Sequence, residues 1–172
     1  MKKVCGASFE RNASFDAFVA RNYPRLVQSL SLIVLDRELA ADAAQDALLK
    51  AHLHWDKVAR CDDPDAWLYR VAINRCRDMR RHLARAVRAL ERLTNAYVER
   101  ETRPWEPPGE LISVLRPLPL GQRTAAALYY VGDFSTAEIA SVMGVAEGTV
   151  NSHLHRAREA LRKALEADNE TP

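Results

Sequence analysis

Apolar side chains along this chain recur every three or four positions and nowhere alternate convincingly with polar ones, so the pattern predicts helices throughout. From Ser14 to about Leu35, the residues Phe15, Phe18, Val19, Tyr23, Leu26, Val27 and Leu30 share one face, and Pro24 is expected to bend or divide that helix. A second helix is predicted from about Arg37 to Trp55, followed by a polar loop up to Asp63. Asp63 then suits an N-cap, Pro64 the first helical position and Asp65 the first turn. That third helix runs to at least Arg81 and onward toward Leu93. Five of the eight prolines lie between Pro104 and Pro119, so 102–109 reads as a linker. A short helix is predicted over Leu111–Leu115, and a further helical unit begins near Leu118.

The last part of the chain has the clearest pattern. Ser135 can cap a helix, and Glu138 three residues on completes a capping box. Ile139, Ala140 and Met143 then face inward, and Gly144 supplies a tight turn. Beyond it, Val150, Leu154, Ala157, Leu161 and Leu165 form one buried stripe on a long helix. The opposite face carries Gly148, Asn151, Ser152 and His155, with Arg156, Arg158 and Arg162 beside it. A helix with small, polar and cationic residues outward, set across a glycine turn from another, is built to lie in a DNA major groove. The architecture predicted is all-α: two small helical domains, 10–93 and 111–167, joined by a Pro-rich linker over 94–110, the second a helix-turn-helix.

Charge sharpens this picture. The net charge of the 172 residues is only +2. Residues 1–69 hold 9 Lys/Arg and 10 Asp/Glu, whereas 70–103 hold 10 Arg and 4 Asp/Glu. Such an arginine block points to a polyanion. It also has geometry. Arg70, Asn74, Arg77, Arg81, Arg85, Arg88 and Arg92 recur at steps of three and four and fall on one stripe. Leu68, Ala72, Cys76, Met79, Leu83, Val87 and Leu90 occupy the core face. A stripe several turns long can track a phosphate backbone. Trp67 and Trp55 lie beside it, open either to base stacking or to clamping the helices. The 55–63 loop could cup an extruded base. A third surface, on 36–50, is acidic: Asp42, Gln45, Asp46 and Leu49 lie on adjoining outward faces, which suits either a basic protein partner or plain solvent.

Other classes find little support. No run of about 18 apolar residues exists for a membrane span, and no apolar core follows Lys3 for a secretion signal. Cys5, Cys61 and Cys76 are scattered and odd in number, which fits a reducing cytoplasm better than a disulfide or zinc framework. His52/His54 and His153/His155 are spaced two apart and do not share a helix face, so no metal site is expected. No nucleophile elbow or phosphate-cradling loop appears. Neither catalysis nor a cofactor is expected.

Three motifs together resemble the small two-domain bacterial sigma factors of the extracytoplasmic-function group. Residues 42–50, D-A-A-Q-D-A-L-L-K, are similar to that family's polymerase-binding helix, D-x-x-Q-E-x-F. Residues 66–78, A-W-L-Y-R-V-A-I-N-R-C-R-D, are similar to its W-L-Y-R-I-A-x-N signature. Residues 133–161 are similar to D-F-S-x-x-E-I-A…G-T-V-x-S-x-L-x-R-A-R-x-x-L. The resemblance implies a promoter-specificity subunit whose partners are core RNA polymerase, at the largest-subunit clamp and the flap, and promoter DNA. An anti-sigma factor is a further expected partner. It assigns Asp42, Gln45 and Asp46 to polymerase binding, with Leu49 on the adjoining face, and Trp67 and Asn74 to the −10 element, with Arg70, Arg77 and Arg81 of the same stripe beside them. Thr149, Asn151, Ser152, His155, Arg156 and Arg158 fall to the −35 element. This chain departs from the pattern at Asp46, usually Glu, and at Ala47-Leu48, usually more aromatic. It also departs at Thr136, where an aromatic is common, and at Asn151 and His153, where a basic residue is common. The competing reading is a stand-alone helix-turn-helix regulator, which explains 118–165 but not the arginine stripe.

Overall fold

The structure is a computed structural model and describes residues 4–94 and 115–169. Most of the proline-rich linker and of the short helix predicted over 111–115 lie outside the described residues, as do the side chains of Cys5, Leu90, Arg92 and Leu165. Seven helices are described: α1 (Val4–Val34), α2 (Arg37–Leu53), α3 (Trp55–Val58), α4 (Pro64–Thr94), α5 (Leu120–Tyr130), α6 (Thr136–Met143) and α7 (Glu147–Asn169). No strand occurs among the described residues.

Helix α1 runs unbroken through Pro24, so the proline does not divide it. Interior proline costs a helix about 3 kcal/mol. Phe18, Leu26 and Leu30 are buried on both sides of it, and each buried side chain of this size returns about 1.5–3 kcal/mol. Leu35, at φ 58°, turns the chain, and the Asp36 carboxylate accepts from the Leu39 amide at 3.0 Å to start α2. A ridge of buried alanines (Ala40, Ala43, Ala44, Ala47 and Ala51) lets α2 lie close to its neighbours.

Three expectations need correction. Helix α2 stops at Leu53 rather than Trp55, and the supposed polar loop opens with α3, which drives Trp55 and Val58 into the core. Trp55 packs on Phe15 and Phe18, with ring centroids at 5.2 and 4.9 Å, so it is a core clamp and presents no free face for a base. Leu83, assigned to the core face of α4, is 43% exposed. The reason is length. Helix α4 has 31 residues, against 17 in α2. At about 1.5 Å per residue it outruns the helix it packs on by roughly 20 Å.

The start of α4 follows the sequence closely. Asp63 caps it through the Ala66 amide at 2.8 Å, and Asp65 in its first turn accepts from Arg21 and Asn22 of α1 at 2.9 and 3.1 Å. Helices α5, α6 and α7 pack around Ala125–Leu128, Phe134, Ile139, Val142, Val150, Leu154 and Ala157. This second group is continuous with the first: α5 lies on α1 and α6 on α4.

Candidate nucleic-acid interface

The helix-turn-helix is fixed by local chemistry. Ser135 and Glu138 form the predicted capping box. The amides of Gly144 and Val145 both close onto the Ala140 carbonyl, at 2.9 and 3.1 Å. Gly144 sits at φ 68°, where any side chain would be strained. Upstream, Gly132 is required for space, since a Cβ there would lie 2.6 Å from the Leu128 carbonyl oxygen. The Thr136 hydroxyl donates to the Glu147 carboxylate at 2.6 Å, which ties the first turn of α6 to the first turn of α7.

With Val150, Leu154 and Ala157 buried, the helical period turns Thr149, Asn151, Ser152, His155, Arg156 and Arg158 outward, and all six are exposed. Gly148 adds no bulk, and the space beside it is open. Not all of these groups are idle. Ser152 donates to the Gly148 carbonyl at 2.9 Å, and Arg158 donates to the Tyr130 phenol at 2.9 Å. Arg162, one turn further, is paired with Glu159 and Glu166. His153 is half-buried, its ring against Gly121, and so is no partner to His155 in a metal site.

The second cationic surface is on α4. Arg70, Asn74, Arg81, Arg85 and Arg88 are exposed along one stripe, and Arg77 is half-buried. Asn74 accepts from Arg77 at 3.2 Å, which orients its amide. Trp67 is half-buried and packs against the core at the head of the stripe. Burial pushes the thiol of Cys76, on the opposite face, up to about 12, so it behaves as a small core hydrophobe. Burial likewise raises the Tyr69 phenol and lowers the Arg123 guanidinium.

On α2, Asp42, Gln45 and Leu49 are exposed. Asp46 is half-buried and bound to Arg75 of α4 at 2.6 Å, so it is not a freely outward carboxylate. Leu49 and Leu53 are 58% and 69% exposed. Leu49 shares a shallow groove with Phe15, Asp16, Leu48 and His52, an apolar patch with an acidic margin.

The two halves of the chain do not stand apart. Arg70 donates to both the backbone carbonyl and the hydroxyl of Ser141 in α6, the latter at 2.8 Å. Arg70, Asn74 and Arg77 share a cleft with residues 140–146. Arg25 donates to the Gly132 carbonyl at 3.1 Å and pairs with Asp133 at 3.3 Å. Tyr69 meets Phe134 edge-on at 4.7 Å. The buried Arg123 of α5 donates to the Ile33 carbonyl at the end of α1 at 2.9 Å. Sequence reasoning had no access to this closure. Among the described residues no group of three or more His, Cys, Asp or Glu could hold a metal ion, and no helix is long and apolar enough to cross a membrane.

Residues 18–94 match the family model for sigma-70 region 2, and residues 109–161 match that for sigma-70 region 4. The RNA polymerase sigma-E factor of Streptomyces avermitilis is 33% identical over 153 residues, 89% of this chain and 86% of that one. The ECF RNA polymerase sigma factor SigL of Mycobacterium tuberculosis is 32% identical over 173 residues, 96% of this chain and 97% of that one. Among solved structures, the sigma factor RpoE of Bartonella quintana, in complex with the anti-sigma factor NepR, has a TM-score of 0.74. At 24% identity, over 90% of this chain and 98% of that one, it shows a shared fold. CnrH, in complex with the cytosolic domain of CnrY, has a TM-score of 0.62 at 26% identity, over 91% of this chain and 90% of that one. The chain belongs to the extracytoplasmic-function group of the sigma-70 family.

Proposed function

We propose that this chain directs core RNA polymerase to promoters by reading the −10 element with α4 and the −35 element with α7. Polymerase docks on the Asp42, Gln45 and Leu49 face of α2, with Asp46 helping to hold that face in place through Arg75. Asn74 reads a base of the −10 element while Arg70, Arg77 and Arg81 hold phosphate, and Trp67 supports their helix. Thr149, Asn151, Ser152, His155, Arg156 and Arg158 make the −35 surface. The working domains are 10–93 and 111–167, joined by the 94–110 linker. The role is one of binding rather than catalysis, it needs no cofactor, and its setting is the cytoplasm. An anti-sigma protein is a fitting regulator.

The observation that carries this reading is the presence of two separate cationic faces on one chain, on α4 and on α7. A stand-alone helix-turn-helix regulator needs only the second. The closed packing also has a consequence. By their names the two elements lie about 25 base pairs apart, or roughly 85 Å at about 3.4 Å per base pair. Arg70 and Ser141 are in hydrogen-bond contact, so the two halves must part before both elements are read. Run-off transcription tests the function: core polymerase with this chain should initiate on a subset of a genomic promoter pool and protect an asymmetric footprint. Binding to a palindrome without polymerase would instead establish the stand-alone regulator.

A further inference from the structure

Helix α5 ends in two consecutive tyrosines, Tyr129 and Tyr130, which are 36% and 50% exposed. Their rings meet edge-on at 5.1 Å. Large rings left this exposed at a helix end are not accounted for by core packing alone, so their neighbours are informative. The neighbour here is Arg158 of α7. Its Nε donates to the Tyr130 hydroxyl at 2.9 Å, and its guanidinium carbon lies 5.5 Å from the Tyr129 ring centroid. Arg158 follows Asn151 by seven residues, two helical turns, and so lies on the same face of α7.

The contrast with Arg162 is decisive. Arg162 is one turn further along and has carboxylates on both sides, Glu159 at 3.6 Å and Glu166 at 3.2 Å, so its charge is locally cancelled. Arg158 is held at two points by neutral rings. Its orientation is set, and no carboxylate among the described residues pairs with it. An arginine in that condition suits a backbone phosphate, which it engages through the terminal nitrogens of its fork.

We propose that Tyr130, backed by Tyr129, is a positioning residue of the −35 interface that presents Arg158 to a phosphate of the duplex lying along α7. This rests on reading α7 as the −35 helix. Tyr130 then contributes no charge and reads no base; it removes the freedom that Arg158 would otherwise lose on binding.

The test uses the full chain assembled with core polymerase. The probe is a duplex that the wild-type holoenzyme selects from a pool randomised over the −35 region. Affinity is measured across a salt series for wild type, Tyr130→Phe, Arg158→Ala, Arg158→Lys and the Tyr130→Phe/Arg158→Ala pair. Arg158→Ala should flatten the slope of log affinity against log salt by about 0.9, one phosphate contact. Tyr130→Phe should keep the slope and weaken binding about two- to tenfold, the cost of ordering one long side chain. Arg158→Lys should behave like Tyr130→Phe, keeping the charge without the phenol-bonded fork. In the Arg158→Ala background Tyr130→Phe should change nothing further. Tyr130→Phe removes one exposed oxygen, and Arg158→Lys probes the same contact from the other side without touching α5. Wild-type affinity in Tyr130→Phe, or an equal loss in the Arg158→Ala background, overturns the proposal. If the wild-type holoenzyme selects no sequence at all, the −35 reading falls and takes this proposal with it. If it selects one and Arg158→Ala leaves both affinity and slope unchanged, this proposal alone falls.

Discussion

Replacing Arg123 with methionine should cost the folded chain about 2–4 kcal/mol. Arg123 is only 7% exposed, and its guanidinium has three backbone acceptors: Ile33 at 2.9 Å, and Arg116 and Leu118 at 3.3 Å each. Ile33 lies in the last turn of α1, where carbonyls lack an intrahelical partner. A hydrogen bond from a charged donor is worth about 1.5–3 kcal/mol net, and an orphaned buried acceptor costs about 1–3 kcal/mol. The bond to Ile33 accounts for most of the loss. The two longer bonds add less, and release from burying a cation offsets part of it. That burial is visible in the lowered pKa of the group. Methionine keeps the apolar stem, so packing is largely retained. At a urea slope of about 2 kcal/mol per molar, the unfolding midpoint should fall by about 1–2 M. Arg123→Lys keeps the charge but not the fork, and should fall in between. A shift worth less than about 0.5 kcal/mol for Arg123→Met would show that the three carbonyls are satisfied without this side chain. The buried arginine would then not be what fastens α5 to the end of α1.

Three further outcomes are expected. Gln45→Ala with Leu49→Ala should abolish co-purification with core polymerase while the melting temperature stays within a few degrees, since both side chains are exposed; retained co-purification removes α2 from the docking surface. Asn74→Ala should relax preference at one −10 base, whereas Arg81→Ala should weaken every promoter alike and reduce the salt slope by about one; an equal loss on all −10 variants for Asn74→Ala would make Asn74 a support for Arg77, from which it accepts a hydrogen bond. Asn151→Arg should move preference at one −35 base from adenine toward guanine, a change worth about 1–3 kcal/mol of discrimination. The readout is a randomised −35 library, and an unchanged base profile would place Asn151 outside the reading surface.

The helix-turn-helix was legible because its determinants are local. Ser135, Glu138 and Gly144 each act within four residues of themselves, and the stripe of Val150, Leu154 and Ala157 is a period. The N-cap of α4 was legible for the same reason. The break at His54 was not, because no proline or glycine marks it; the chain turns so that Trp55 can reach Phe15 and Phe18, which are distant in sequence. Leu83 was misassigned because a period shows which way a residue points, but not whether another helix is there to meet it.

The arginines mark a deeper limit. From sequence, Arg70 and Arg158 have the same rationale, a cation on a helix face otherwise suited to phosphate. The structure separates them by what they touch. Arg70 is engaged by Ser141 of the opposite half, so in the closed molecule one member of the cationic stripe on α4 is turned to another use. Arg158 is held by two neutral rings on its own half and keeps its charge outward. Guanidinium binds a carbonyl, a hydroxyl or a phosphate oxygen through the same N–H donors, so composition cannot distinguish closure from DNA contact. The energies indicate which is easier to undo. Exposed contacts such as those of Arg25 and Arg70 are worth about 0–1 kcal/mol each. A phosphate engaged by the same group also releases counterions. The exposed arginines can therefore exchange the opposite half for DNA at little cost. The buried Arg123 bond to Ile33 has no such replacement, and it sets the main polar resistance to opening.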